Sequence, residues 1–206
     1  MKQIPPQIEN IIFDLGGVIL NIDYHITINR FKMMGIKDFD NLFSQAQQSD
    51  LFDLFETGKI TESDFIDQLQ NHFHIQKDKN EIIDNWNAML LDFPKERKQT
   101  LEVFSKRFNI VLLSNTNETH VRAFKEIIID TFGTYWFPEI FQKVYYSNEI
   151  GLRKPNAEVF DYVLSDNAFN AENTLFFDDS IQHVEGARRC GIQAVHLTDK
   201  QIEDFL

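Results

Sequence analysis

The chain has 206 residues, 43% of them hydrophobic and 13% aromatic, with 20 Phe and a formal net charge of −12. That much apolar material builds one or two packed domains and excludes a disordered chain. The acidic balance argues against nucleic-acid backbones and anionic membrane surfaces as partners, and no apolar run approaches the roughly 20 residues of a membrane span.

Taken in chain order, Ile11-Ile12-Phe13 reads as a strand covered on both faces. Asp14 falls where that strand emerges, with Gly16 and Gly17 close behind. Glycine permits tight turns and close approach of a ligand to the backbone. A carboxylate held there can serve as a nucleophile or as a metal ligand.

From about residue 23 to residue 92 the pattern is helical only, with helices expected over 26–34, 39–55, 61–73 and 78–91. Thr61 and Asp64 are spaced as a capping box, with Asp64 in the place of the usual Glu. Gly35 and Gly58 suit helix ends. The aromatics of this stretch, Phe31, Phe39, Phe43, Phe52, Phe55, Phe65 and Phe73, read as its own packed interior. Residues 20–91 are therefore expected to form a small helical cap over the rim where Asp14 lies, with crossings near 18–23 and 91–95. Residues 1–19 and 92–206 are expected to form the core.

Beyond the cap, strands are expected over 109–113, 144–146, 174–177 and 194–197, with helices over 95–107, 118–129, 156–164 and 181–190. Such alternation implies parallel strands joined by right-handed crossovers. The fold class is thus α/β, a parallel sheet flanked by helices with an inserted all-helical cap. Ligands in these sheets bind beyond the carboxyl ends of the strands, where Asp14, Ser114 and the pair Asp178-Asp179 all fall.

Asp14 and Asp179 at strand ends can share a Mg²⁺, a hard cation that prefers oxygen, and the Gly16 carbonyl can add a third oxygen. Asp178 can ligate directly or hold a metal-bound water. Helix capping is the competing role for Asp179-Ser180. Ser114-Asn115 can hold phosphoryl oxygens in a transition state or cap a helix. Lys154 stands before Pro155, which can open a helix, and a lysine among carboxylates keeps them ionised and attracts a phosphoryl group. The six histidines lack zinc spacing, and there is no Gly-rich loop followed by Lys-Ser or Lys-Thr and no Gly-x-Ser-x-Gly elbow. Cys190 is the only cysteine, which fits a reducing, cytoplasmic setting, and residues 1–10 lack the order of a secretory signal.

Four stretches taken together carry a resemblance: Asp14-Leu15-Gly16-Gly17-Val18-Ile19, Ser114-Asn115, Lys154-Pro155, and Phe177-Asp178-Asp179-Ser180 followed by Glu185-Gly186-Ala187. In this order the chain resembles the haloacid dehalogenase-like hydrolases, in the branch with a small helical cap after the first motif. Within it the chain looks most like sugar-phosphate, notably glucose-1-phosphate, phosphatases. The resemblance implies Mg²⁺-dependent hydrolysis of a small phosphorylated metabolite, with Asp14 as a nucleophile that forms an aspartyl-phosphate. It further implies that Ser114 and Asn115, beside Gly16 and Gly17, hold the phosphoryl group and that Lys154 bridges it to Asp14. Asp14, Asp179 and the Gly16 carbonyl would bind Mg²⁺ with support from Asp178, while the cap selects the leaving group.

Two positions depart from the family pattern. Gly16 stands where relatives commonly carry an Asp that acts as general acid and base, which leaves Asp23, at the crossing into the cap, as the expected substitute. His183 stands where Asp or Asn is usual, one turn after Asp179, and is expected to orient Asp179 or a metal-bound water. The competing class is a catalytically weak or inactive phosphate-binding module on the same fold. The sequence leaves open whether the protein is a monomer or a dimer.

Overall fold

The computed structural model describes residues 4–43, 50–198 and 201–206. Five strands, β1 (Asn10–Phe13), β2 (Asn109–Ser114), β3 (Lys143–Tyr146), β4 (Thr174–Asp178) and β5 (Gln193–His196), form one sheet in the order β3-β2-β1-β4-β5. Each neighbouring pair runs parallel. Central β1 is buried at all four positions, the consequence of helices on both faces.

Side chains alternate across the sheet, and this divides the core in two. Phe13, Leu112 and Phe177 face one side, which is covered by α6 (Lys95–Ser105), α7 (Glu118–Phe132) and α8 (Phe137–Ile140). Ile12, Val111 and Phe176 face the other, which is covered by α10 (Ala157–Asn167) and α11 (Ile181–Arg189). The short α9 (Ser147–Ile150) lies between β3 and α10 in the chain. Phe13 stacks on Phe177 with ring centres 5.4 Å apart. Register sets the rim: Phe13 lies opposite both Leu112 and Phe177, so β1, β2 and β4 reach their carboxyl ends nearly level. The Asp14 amide continues the ladder, donating to the Phe177 carbonyl at 2.9 Å.

The inserted helices are α1 (Tyr24–Met33), α2 (Phe39–Leu42), α3 (Asp50–Glu56), α4 (Glu62–Phe73) and α5 (Lys79–Asn87). They carry a separate apolar cluster running from Ile28 to Met89, centred on Phe43, Phe52, Phe65 and Trp86. The Thr61 capping box forms with both of its arms. A single helix over 39–55 does not form. After α2 the backbone turns extended at Phe43, whose ring packs 4.8 Å from Trp86 and 5.1 Å from Phe52. Burying that ring against two helices outweighs continuing the helix; residues 44–49 of the expected span lie outside the described residues. The helix expected over 78–91 stops at Asn87. The segment after it pairs with the outgoing chain instead: Asn21 donates to the Asp92 carbonyl, Leu91 to the Asn21 carbonyl and Asp23 to the Met89 carbonyl, each at 2.9 Å. The two crossings between insertion and core are thus one hydrogen-bonded ribbon. No helix among the described residues is long and apolar enough to cross a membrane.

Trp86 of α5 meets the core at His120 of α7, where the two rings stack 4.9 Å apart. His120 Nε2 lies 3.3 Å from the Trp86 carbonyl, and its Nδ1 lies 3.2 Å from the Asn117 side-chain amide nitrogen. A carbonyl only accepts and an amide nitrogen only donates, so the neutral ring with its proton on Nε2 satisfies both contacts. Burial lowers its pKa to about 4 from an ordinary 6.5. Above pH 6.5 the ring is neutral in the folded and unfolded chain alike. As pH falls toward 4 the unfolded chain takes up a proton that the folded one refuses. Urea unfolding is therefore expected to show an acid loss on the order of 3 kcal/mol from this group, and His120→Gln is expected to flatten that part of the profile.

Candidate active site

The rim brings most of the sequence-predicted groups together. Asp14 sits just past β1 and is 7% exposed. Its Oδ1 accepts from the Leu15 amide at 2.7 Å and lies 2.8 Å from the Lys154 ammonium. Lys154 is completely buried. Besides Asp14, its ammonium donates to Asp178 Oδ2 at 2.8 Å and to the Leu113 carbonyl at 3.0 Å, so all three N–H bonds are used. Three strand ends are thus tied to one cation.

Burial shapes the titration of this triad. It pushes the Asp14 carboxyl up to about 7 against the pull of Lys154, helped by the neighbouring Asp178 and Asp179 charges. It also opposes the Lys154 charge, yet Asp14 and Asp178 outweigh it and hold the ammonium above its ordinary value. Asp178 is held down at about 2, because Lys154 and His183 outweigh the cost of its burial.

Asp178 is saturated with donors. Its Oδ1 accepts from the Ser180 amide at 2.7 Å, and His183 Nδ1 lies 3.0 and 3.1 Å from its two oxygens. His183 therefore orients Asp178, the neighbour of Asp179 in the chain. Asn115 likewise serves the architecture of the rim. Its side-chain amide donates to the Lys154 carbonyl and its side-chain oxygen accepts from the Lys154 amide, both at 2.9 Å. That two-point clamp fixes the loop that presents the lysine. Ser114 is the last residue of β2 and is buried, with a long 3.4 Å contact from its hydroxyl to the Asn115 carbonyl.

The loop after Asp14 closes through hydrogen bonds from the Ile19 and Leu20 amides to the Leu15 carbonyl. Gly17 has φ +72°, and a Cβ there would lie 2.3 Å from Asp179 Oδ2, so the Asp179 carboxylate packs where any other residue would project. Gly16 is under no such compulsion. Its backbone is ordinary, and a Cβ would meet only the tip of Ile22 at 3.0 Å.

A cavity of about 60 Å³ opens at this rim, lined by Asp14, Gly16, Tyr24, Glu56, Asn115, Arg153, Asp179 and His183. Asp23 is outside that lining. Its side chain caps α1, accepting from the His25 amide at 2.9 Å, and so sets Tyr24, the neighbour that does enter. Tyr24, Glu56 and Arg153 were not expected in the site. Burial and the surrounding carboxylates hold the Tyr24 phenol well above its usual range. Arg153 pairs with Asp53 and, at 3.0 Å, with Glu56, joining the loop before α10 to α3. The one sequence signal for this group was the adjacency of Arg153 to Lys154.

The donor set suits a hard cation. Asp14, Asp178 and His183 offer ligand atoms within 4.8 Å of one another. Asp178 and His183 already bond each other, so the oxygen ligands at the cavity wall are those of Asp14 and Asp179, beside Gly16.

A family model for haloacid dehalogenase-like hydrolases matches residues 8–191. The chain is 27% identical over 188 residues to a D-ribitol-5-phosphate phosphatase of Bacteroides thetaiotaomicron, covering 90% of each. A HAD family enzyme from the same organism, solved as a magnesium complex, is 28% identical with a TM-score of 0.85, covering 95% of this chain and 96% of that one. Its wild-type complex with magnesium and inorganic phosphate has a TM-score of 0.80 at 28% identity, covering 94% and 96%.

Replacing Lys154 by Met keeps the volume but leaves two buried carboxylates without their cation. The expected cost is about 3–5 kcal/mol of unfolding free energy, read from the urea midpoint at pH 7 against the unaltered chain.

Proposed function

Because the chain belongs to the haloacid dehalogenase-like hydrolase family, we propose that its rim cavity is a phosphatase active site with Asp14 as nucleophile. The protein is a Mg²⁺-dependent phosphomonoester hydrolase. The observation that carries the reading is the fully buried Lys154, which holds Asp14 and Asp178 at the carboxyl ends of β1 and β4.

In the first half-reaction an Asp14 oxygen bonds to phosphorus in line with the ester oxygen, the phosphorus–oxygen bond to the leaving group breaks, and the departing oxygen takes a proton from solvent water to leave as the alcohol. In the second, water attacks phosphorus and gives up a proton to solvent as the bond to the Asp14 oxygen breaks, restoring Asp14 and releasing phosphate. Lys154 acts through its charge, drawing Asp14 toward its ionised form against the burial that raises it to about 7. The Ser114 hydroxyl donates to a phosphoryl oxygen, and the Asn115 side chain holds the lysine loop in place. Asp14, Asp179 and the Gly16 carbonyl would hold the Mg²⁺, with Asp178 bracing Lys154 and His183 behind them. When bound, the cation offsets phosphoryl charge and lowers the repulsion between substrate and carboxylates.

The walls nearest Asp14 support a polar leaving group. Apart from the Tyr24 ring, the side chains around Asp14 are polar or charged. We take the leaving group to be a sugar or an open-chain polyol, in line with the activity of the ribitol-phosphate phosphatase that the chain resembles. The inserted helices supply Tyr24 and Glu56 to the cavity, so they act as the cap that selects this group.

Phosphate release from a panel of sugar and polyol phosphates is expected to require Mg²⁺ and to be abolished by chelation. Asp14→Asn is expected to lower kcat by at least about 10³-fold; activity that survives this change removes Asp14 from the nucleophile's role.

Gly16→Asp supplies the missing acid at a backbone position that accepts it, at the expense of shifting the Ile22 tip. We expect kcat to rise by about tenfold or more, within the usual contribution of general acid–base catalysis, and most for alcohols of high pKa. Steady-state rates across leaving groups of graded acidity check this.

A further inference from the structure

Resting on the phosphatase reading above, the cavity leaves two charged groups that the phosphoryl chemistry does not use. Glu56, at the end of α3, is 8% exposed, and Arg153 stands in the loop before α10. Both line the cavity that contains Asp14, and they face each other at 3.0 Å. A carboxylate at that position works against binding an anion, since Asp14 and Asp179 already line the same small space. Arg153 offsets its charge across the 3.0 Å contact.

Geometry makes the pair useful to a leaving group. Glu56 lines the cavity from the inserted helices, Arg153 from the loop before α10, and Asp14 and Asp179 from the rim of the sheet, so the pair and the two aspartates line it from different elements. An ionised carboxylate has about four lone-pair sites and accepts a hydroxyl proton in addition to an ion pair. A guanidinium donates five N–H bonds in a fixed fork and can serve a hydroxyl oxygen at the same time.

We propose that Glu56 and Arg153 are the specificity-determining pair of the enzyme: Glu56 accepts from, and Arg153 donates to, hydroxyl groups on the carbons next to the phosphate ester. The substrates selected are monophosphates of polyols or sugars with a hydroxyl close to the ester. Phosphates of plain alkyl, aryl or terpenoid alcohols leave the buried pair without a hydroxyl to bind, which costs affinity.

The test compares D-ribitol 5-phosphate with p-nitrophenyl phosphate, which carries the same phosphoryl group and no hydroxyl, in the Mg²⁺-loaded protein. The quantity read is the ratio of the two kcat/KM values. Glu56→Gln, which keeps the size of the side chain, and Arg153→Lys, which keeps the charge but loses the fork, are each expected to lower that ratio by about tenfold or more, through KM for the polyol phosphate. A ratio within twofold of the unaltered enzyme in both variants overturns the assignment and leaves the phosphatase reading intact. An unaltered enzyme with no preference for the polyol phosphate overturns it as well. Release of phosphate from neither substrate removes the phosphatase reading and this inference together.

Discussion

One buried ammonium holds this site in place. Lys154 has no contact with solvent, and its three N–H bonds end on Asp14, Asp178 and the Leu113 carbonyl, groups at the ends of three neighbouring strands. Two carboxylates this close and this buried repel each other strongly, and each alone would abandon its charge. The cation between them offsets that repulsion and opposes the burial that raises Asp14. The rest of the rim supports this arrangement: Asn115 grips the backbone of Lys154 on both sides, and His183 with the Ser180 amide fixes the far face of Asp178. An ion pair of this kind adds little net stability. What it provides is position.

The glycines after Asp14 have different physical origins. Gly17 is dictated by geometry, because its positive φ and the Asp179 carboxylate beside it leave no room for a side chain. Gly16 is not dictated in this way, and it adds no side chain to the cavity that Asp14 shares with the Tyr24 phenol and the Glu56–Arg153 pair. The cavity is thus lined by residues of the sheet rim, by Tyr24 and Glu56 of the inserted helices and by Arg153, whose ion pairs with Asp53 and Glu56 tie the loop before α10 to α3.

The cap is also tied down on its other side. Trp86, the centre of its aromatic interior, stacks on His120 of α7, and Glu62 at the start of α4 reaches Thr119 and Arg122 of the same helix. Gly58 packs so closely on α9 that a Cβ there would meet the Asn148 carbonyl at 2.2 Å. These contacts, together with the paired ribbon between residues 21–23 and 89–92, set where Tyr24 and Glu56 stand above Asp14.

Much of this was legible in the sequence, because it depends on local pattern. The buried run Ile11-Ile12-Phe13, the alternation of strands with helices and the polar residues closing three of the strands are enough to specify a parallel sheet with polar groups gathered at one rim. Asp14, Ser114, Lys154 and Asp178-Asp179 could be picked out because each stands next to a strand or helix boundary, where one-dimensional signals are strongest. Tertiary structure decided what pattern cannot express. Burying the Phe43 ring against Phe52 and Trp86 stopped a helix that the aromatic spacing favoured, and backbone pairing with Asn21 and Asp23 ended another early. Asp23 became a helix cap, His183 turned to Asp178, and Glu56 and Arg153, far apart in the chain, came within 3.0 Å. Charge pairs and side-chain orientations of that kind depend on which elements meet in space, and periodicity along one chain carries no record of that.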